Sequence, residues 1–377
     1  MTAIKEIQQG FRVLFATAIL ISASSCEKLF IEPDASGAPV AIFEEVWAFS
    51  DSHYSFFAYK DVDWMDVYNH YRPLVHNNMG SVELFDLCAA MLYELKDGHV
   101  NLVSSFDRSR NWEWYLNSPE NFYYAIIERH YFKDRQRYIG SLQFLNMGDL
   151  IYVYYGSFAN PVSDGNMDLI IANLSGKKGI IIDVRNNGGG SLDNARKIAN
   201  RFTDAKRLAG TNKIKIGPGH EDFKTEEIFI EPYDGERFTG KVVVLTNRKS
   251  YSATTYFAQY MRVLDNVTLV GDTTGGGGGL PAFRDLANGW LLRVSSTRFY
   301  DPAGTNIESG IPPHIQININ EAEAFATGKD PIIEKAIELI RDELVMQALS
   351  CLICNKTMHI TKWPYAGWRT LHIRGFP

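Results

Sequence analysis

Lys241-Val-Val-Val-Leu-Thr-Asn-Arg-Lys-Ser-Tyr-Ser-Ala-Thr-Thr-Tyr-Phe-Ala258 reads as a buried strand, a short polar turn and an apolar helix that opens at Ser252. An unbroken β-branched run suits a strand covered on both faces. A helix start brings free N–H groups and a positive dipole end, a setting that stabilises negative charge developing beside a nucleophile.

The same grammar recurs along the chain. Leu150-Ile-Tyr-Val-Tyr-Tyr155 is a strand, and Met167 to Leu174 a helix. Lys178-Gly-Ile-Ile-Ile-Asp-Val-Arg185 is a strand, and Ser191 to Phe202 a helix. Val267 to Gly271 and Trp290 to Ser295 read as further strands, and Pro331 to Leu344 as an amphipathic helix. Strands alternating with helices predict βαβ units, hence an α/β core. Residues 38–96 read differently. Ile42-Phe-Glu-Glu-Val-Trp-Ala-Phe49, Trp64 to Tyr71 and Val82 to Leu95 carry apolar groups at helical spacing. They predict a small helical domain rich in aromatic residues.

The 377 residues are 45% hydrophobic and 22% charged, enough apolar side chains for a sizeable core. The net charge is −6 and there is no Lys/Arg-rich run, which argues against a nucleic-acid partner. Lys5 and Arg12 precede a short apolar run, Val13 to Ile21, and then Ser22-Ala-Ser-Ser-Cys26. That order describes a secretory signal, and the apolar run is too short for a membrane span. A cysteine directly after small residues resembles a bacterial lipoprotein signal, although Ala23 stands where leucine is usual. The expected organisation is a signal over 1–26, a helical domain over 27–110, a catalytic core over 111–345 and a tail of unassigned role over 346–377. A lipid on Cys26 would tether an exported domain to the bacterial cell envelope.

The other cysteines point nowhere in particular. Cys88 sits in an apolar helical pattern and reads as a buried thiol. Cys351 and Cys354 lie near His359, but a zinc site needs more ligands than these supply, and an exported chain can simply join the two as a disulfide.

Three segments carry chemistry. A serine hydroxyl needs an adjacent base, and histidine suits neutral pH. Of nine histidines, His99 stands out, because Leu95-Lys-Asp-Gly-His99 ends a helix in an Asp-Gly turn. His53, His70 and His76 read as helix-surface or core residues, and His314 as a weaker candidate base. Asp183-Val-Arg-Asn-Asn-Gly-Gly-Gly190 places a glycine loop between strand and helix. Such a loop cradles a phosphate or forms an oxyanion hole. Neither the Walker pattern nor the dinucleotide fingerprint is present here. Gly275 to Gly279 reads as a loop that is mobile or closely approached.

Taken together, Leu-Lys-Asp-Gly-His-Val, Asp-Val-Arg-Asn-Asn-Gly-Gly-Gly, Asn-Arg-Lys-Ser-Tyr-Ser-Ala-Thr and Ile-Glu-Ser-Gly-Ile-Pro-Pro resemble the four signature blocks of the C-terminal processing (tail-specific) serine peptidases. The resemblance spans about residues 90–340, in family order. It implies a crotonase/ClpP-like core, endopeptidase action on protein or peptide substrates, and Ser252 as nucleophile. Members that use a Ser–Lys dyad place a lysine where this chain has Gly277, and no lysine occurs between Asp265 and Trp290. Lys249 is expected to point to solvent. The Asp-Gly-His block is instead similar to the tricorn-protease branch, which implies His99 as base and Glu308 as the acid that orients it. That branch carries a serine where Gly98 stands. The stretch from Val100 to Gly140 is too short for the PDZ domain of many members, so none is expected.

The implied mechanism has Ser252 attack a peptide carbonyl while His99 takes its proton. Glu308 would hold the imidazole. The N–H groups of Ala253 and Gly189, with Gly188 or Gly190 as alternates, would meet the oxyanion. No metal or cofactor is called for. Two other readings share the fold: a ligand- or peptide-binding protein without catalysis, and acyl-CoA chemistry.

Overall fold

The computed structural model describes residues 36–112 and 115–342. Cys26, Cys351, Cys354, His359 and the segments 1–26 and 346–377 therefore lie outside the described residues. Packing divides the chain into two units, each built from separated stretches. One takes residues up to 113, 213–225 and 279–298, and the other takes 114–212, 226–278 and 299 onward.

The first unit contains the expected helices, Pro39–His53, Trp64–Tyr71 and Ser81–Tyr93. Asp63 caps the second by accepting from the N–H groups of Met65 and Asp66. Their apolar faces, with Ile42, Phe43, Phe85 and Met91 fully buried, pack on Leu102, Leu292 and Val294. Those last residues belong to a three-stranded antiparallel sheet ordered Asn101–Val103, Leu291–Ser295, Pro281–Asp285. Here the structure corrects the sequence reading. The strand expected at Trp290–Ser295 runs antiparallel in this unit, outside the βαβ series. Its alternating burial, against the unbroken burial of Gly179–Asp183, is the physical reason.

The second unit is a seven-stranded mixed sheet. Its order is Ile315–Gln316, Val267–Gly271, Lys241–Thr246, Gly179–Asp183, Leu150–Tyr154, Leu142–Asn146, Arg137–Ile139. The first five are mutually parallel, the sixth runs antiparallel to them, and the seventh pairs antiparallel with the sixth. Helices Asp164–Asn173, Leu192–Ala199 and Ala253–Arg262 make the crossovers. Successive strand residues serve opposite faces. Ile181, Val243, Leu245 and Val270 join one core with Ile332, Ile333 and Ala336 of the helix over 331–342. Ile180 and Ile182 turn instead toward Met167, Ile198 and Phe257.

Below the glycine loop the second unit buries an ionic network. The Arg185 guanidinium meets Asp183 at 2.6 Å and Asp330 at 2.8 Å, and all three side chains are essentially inaccessible. Asp330 also caps the helix over 331–342 through the N–H groups of Ile332 and Ile333. Tyr152 donates its hydroxyl to Asp183. Asp183-Val-Arg185 is thus a structural anchor that fixes where the glycine loop begins.

Candidate active site

Strand Lys241–Thr246 ends in a turn that is bolted down atom by atom. Asn247 N–H donates to Ser250 Oγ at 3.1 Å, and Ser250 Oγ donates to the Val184 carbonyl at 2.8 Å. Asn186 N–H donates to Asn247 Oδ1 at 2.9 Å, tying the turn to the end of the neighbouring strand. Tyr251 N–H donates to the Asn187 carbonyl at 3.0 Å. The turn delivers Ser252 with φ +57° and ψ −123°, a conformation that side-chain-bearing residues rarely adopt. Such strain persists only where surrounding bonds over-determine it. Ser252 is partly exposed, directly before helix Ala253–Arg262.

The first donors of that helix sort themselves. Thr254 N–H returns to the Tyr251 carbonyl, and those of Thr255 and Tyr256 return to the Ser252 carbonyl. The Ala253 N–H is the first helical donor and one of those without an intrahelical acceptor.

Gly189 lies against this point. A methyl group on it would stand 2.7 Å from the Tyr251 carbonyl oxygen, 2.8 Å from Ser252 Cβ and 3.0 Å from Ala253 N. Its φ of +102° also favours glycine. The Gly189 N–H, however, donates to Asn187 Oδ1 at 3.0 Å. The sequence reading gave this N–H to an oxyanion, whereas the structure gives it to a side chain. Asn187 is the residue that sequence reasoning missed. Its Oδ1 also accepts from Phe158 N–H and Thr254 Oγ1, and its Nδ2 donates to the Tyr155 carbonyl. An asparagine directly before a run of three glycines, able to accept from the chain ahead, was the available signal.

The run Gly275–Gly279 is buried and closely approached. Gly275 N–H donates to the Ser250 carbonyl, and the Gly276 carbonyl accepts Ser252 N–H at 2.9 Å and Thr255 Oγ1 at 2.8 Å. The Gly278 carbonyl accepts the Tyr256 hydroxyl at 2.7 Å. Gly278 N–H donates to Glu308 Oε2 at 2.8 Å. Glu308, held in the turn Ile307–Ser309 by Asn306, is buried with its carboxylate on this loop. Gly277 occupies the place a lysine would need, packed on the Tyr251 ring.

His99 belongs to the first unit, between helix Ser81–Tyr93 and strand Asn101–Val103. Asp97 turns the chain there, accepting His99 N–H on Oδ1 at 2.8 Å and Val100 N–H on its carbonyl. The imidazole is 3% exposed. Its Nδ1 lies 2.7 Å from the Gly279 carbonyl oxygen. A carbonyl only accepts, so Nδ1 carries the proton and Nε2 presents the lone pair a general base requires. The partner of Nδ1 is thus a main-chain oxygen. Burial, then the Arg293 charge, lowers the His99 pKa to about 4, opposed by Asp97.

Other candidates fall into structural places. His314 Nδ1 accepts Leu269 N–H at 2.9 Å and so extends the sheet edge. Lys249, expected in solvent, pairs with Glu120 at 2.8 Å. Cys88 is buried and its thiol pKa is pushed up to about 12 by burial. Among the described residues no cluster of His, Cys, Asp and Glu is arranged to hold a metal ion, and no helix is long and apolar enough to cross a membrane.

Fold and turn together define a mixed α/β protein that presents a serine at a strand-to-helix junction. Residues 149–317 match Peptidase family S41, and residues 40–93 match the Tricorn protease C1 domain. A solved structure of a candidate peptidase from Parabacteroides merdae ATCC 43184 is 43% identical, with a TM-score of 0.76, covering 81% of this chain and 98% of that one. A "Probable CtpA-like serine protease" of Staphylococcus aureus (strain MSSA476) is 26% identical over 236 residues, 60% of this chain. The chain spans 45% of the length of that relative. The tricorn protease structure shares the fold, with 18% identity, a TM-score of 0.53, and coverage of 81% of this chain and 37% of that one. The chain belongs to peptidase family S41, the C-terminal processing peptidases.

Proposed function

We propose that this chain is a serine-type endopeptidase that cleaves protein or peptide substrates through an acyl-enzyme on Ser252. The observation that carries the reading is the Ser252 conformation, φ +57° at a helix start, with Ala253 N–H beside it. A strained nucleophile next to an open main-chain donor suits acyl transfer, where negative charge develops on the former carbonyl oxygen.

In this reading Ser252 Oγ attacks the substrate carbonyl and His99 Nε2 accepts its proton. That these two residues act on one substrate is taken from the family pattern of their sequence blocks. Ala253 N–H stabilises the oxyanion. Gly189 serves mainly by lacking a side chain, which keeps that donor reachable; its own N–H joins only if Asn187 releases it. His99 then returns the proton to the leaving amine, and water hydrolyses the ester by the same route. Glu308 supports the reaction from the Gly278 N–H. The substrate enters as protein or peptide without nucleic acid, and a lipid on Cys26 would hold the exported enzyme at the cell envelope.

The test is digestion of an unfolded protein and of a peptide mixture, with products mapped by mass spectrometry. Internal cleavages that vanish in Ser252→Ala support the reading. Cleavage that persists in that variant, or none by the folded wild type, opposes it. Metabolic labelling with a fatty acid, compared with Cys26→Ala, tests the anchor separately.

A further inference from the structure

We propose that Thr297 is a positioning residue for His99, acting through the amide that joins Gly279 to Leu280. This rests on the reading of His99 as general base. The Gly279 carbonyl that accepts from His99 Nδ1 shares one rigid amide with the Leu280 N–H. That N–H donates to Thr297 Oγ1 at 2.8 Å. In a trans amide the two groups point in opposite directions, so a bond at one end sets the aim of the other. Hydrogen bonds in such a line also strengthen one another.

The neighbouring groups leave this amide little freedom. A methyl group on Gly279 would lie 2.6 Å from both Phe56 Cε2 and Ser295 Cβ. The Leu280 carbonyl accepts from Ser296 N–H at 2.8 Å and from Ser296 Oγ at 3.0 Å. Thr297 is 5% exposed, so its hydroxyl is an internal acceptor placed at the first residue of strand Thr297–Tyr300. The amide does for His99 what a carboxylate does in a Ser-His-Asp arrangement: it keeps the proton on Nδ1 and the lone pair on Nε2. Without Thr297 Oγ1 the Leu280 N–H, which is only partly buried, loses its acceptor. The hydrogen bond to Thr297 Oγ1 sets the tilt of this confined amide, so without it the Gly279 carbonyl holds Nδ1–H less squarely and the preference for the proton on Nδ1 weakens.

The experiment uses the full chain labelled with ¹⁵N-histidine at pH 7, comparing wild type, Thr297→Val and Thr297→Ser. Valine keeps the shape without the acceptor, and serine keeps the acceptor. The wild-type spectrum is expected to show a protonated Nδ1 and an unprotonated Nε2 for His99. Thr297→Val is expected to mix the tautomers and lower kcat roughly ten- to a hundredfold, less than the full general-base contribution, with KM little changed. Thr297→Ser should restore both. A wild-type His99 protonated on Nε2 overturns the proposal even if Thr297→Val fails to fold. So does a folded Thr297→Val with wild-type nitrogen shifts. The spectra report on His99 whether or not Ser252 proves reactive, so failure of this inference is separable from failure of the peptidase reading.

Discussion

Gly189 stands against Ser252 so closely that a single added methyl group would reach 2.8 Å from the serine Cβ and 3.0 Å from Ala253 N. The glycine loop and the turn that delivers Ser252 are packed as one device, and its working part is an absent side chain. Gly189→Ala should therefore abolish serine labelling, because the methyl group shields Ala253 N–H and pushes on Ser252. Gly188, its neighbour, faces open space, and a methyl group placed on it would meet nothing within 4 Å. Gly188→Ala should keep most of the activity. Similar losses in both variants would mean that the loop acts by flexibility rather than by close approach.

The Ser252 backbone stores strain that glycine does not feel. Ser252→Gly should be more stable than Ser252→Ala by about 1 kcal/mol, since strain of this kind costs of order 1–3 kcal/mol and glycine returns part of it through the unfolded chain. Urea denaturation of the two inactive variants measures this. Equal midpoints would place the turn in an unstrained conformation.

The buried His99 sets a pH dependence. Its pKa is lowered to about 4, so the neutral base persists well below the ordinary imidazole range. The acid limb of kcat/KM should fall near pH 4, leaving activity nearly full at pH 5.5. Stability carries the same sign. The unfolded chain binds the His99 proton near 6.5 while the folded chain does not, so this contribution is present above pH 6.5 and is lost as pH falls toward 4. An acid limb at 6.5 would put His99 in water.

Arg185 lies between two buried carboxylates, Asp183 and Asp330. Arg185→Met should cost about 3–5 kcal/mol, because removing one member leaves buried charge uncompensated. Thermal melts check the size of the loss. A loss under about 1 kcal/mol would show that water reaches the network.

Much of this was legible in the sequence. Ile180 to Ile182 and Val242 to Val244 are buried on both faces, and uninterrupted β-branched runs say so directly. The positions of Ser252 and His99 at the ends of elements were legible, because local turn residues mark them. The acceptor on His99 was not legible. It is a main-chain carbonyl, and every residue has one. Asn187 was hidden for a related reason: its role depends on which N–H groups the fold brings to its amide. Leu291–Ser295 was found as a strand but given to the wrong sheet, since periodicity reports a strand's faces and not its partners. The pairing of the half-exposed Lys249 with Glu120 was not legible, because Glu120 lies far off in sequence.

Ser252 as an activated nucleophile, with His99 as its base, is tested most directly by fluorophosphonate labelling read by mass spectrometry on the peptide containing Ser252. The expected result is one adduct on Ser252 in the wild type, none in Ser252→Ala and almost none in His99→Ala. A folded wild type that takes no label, or a His99→Ala variant that labels as fast as wild type, would contradict it.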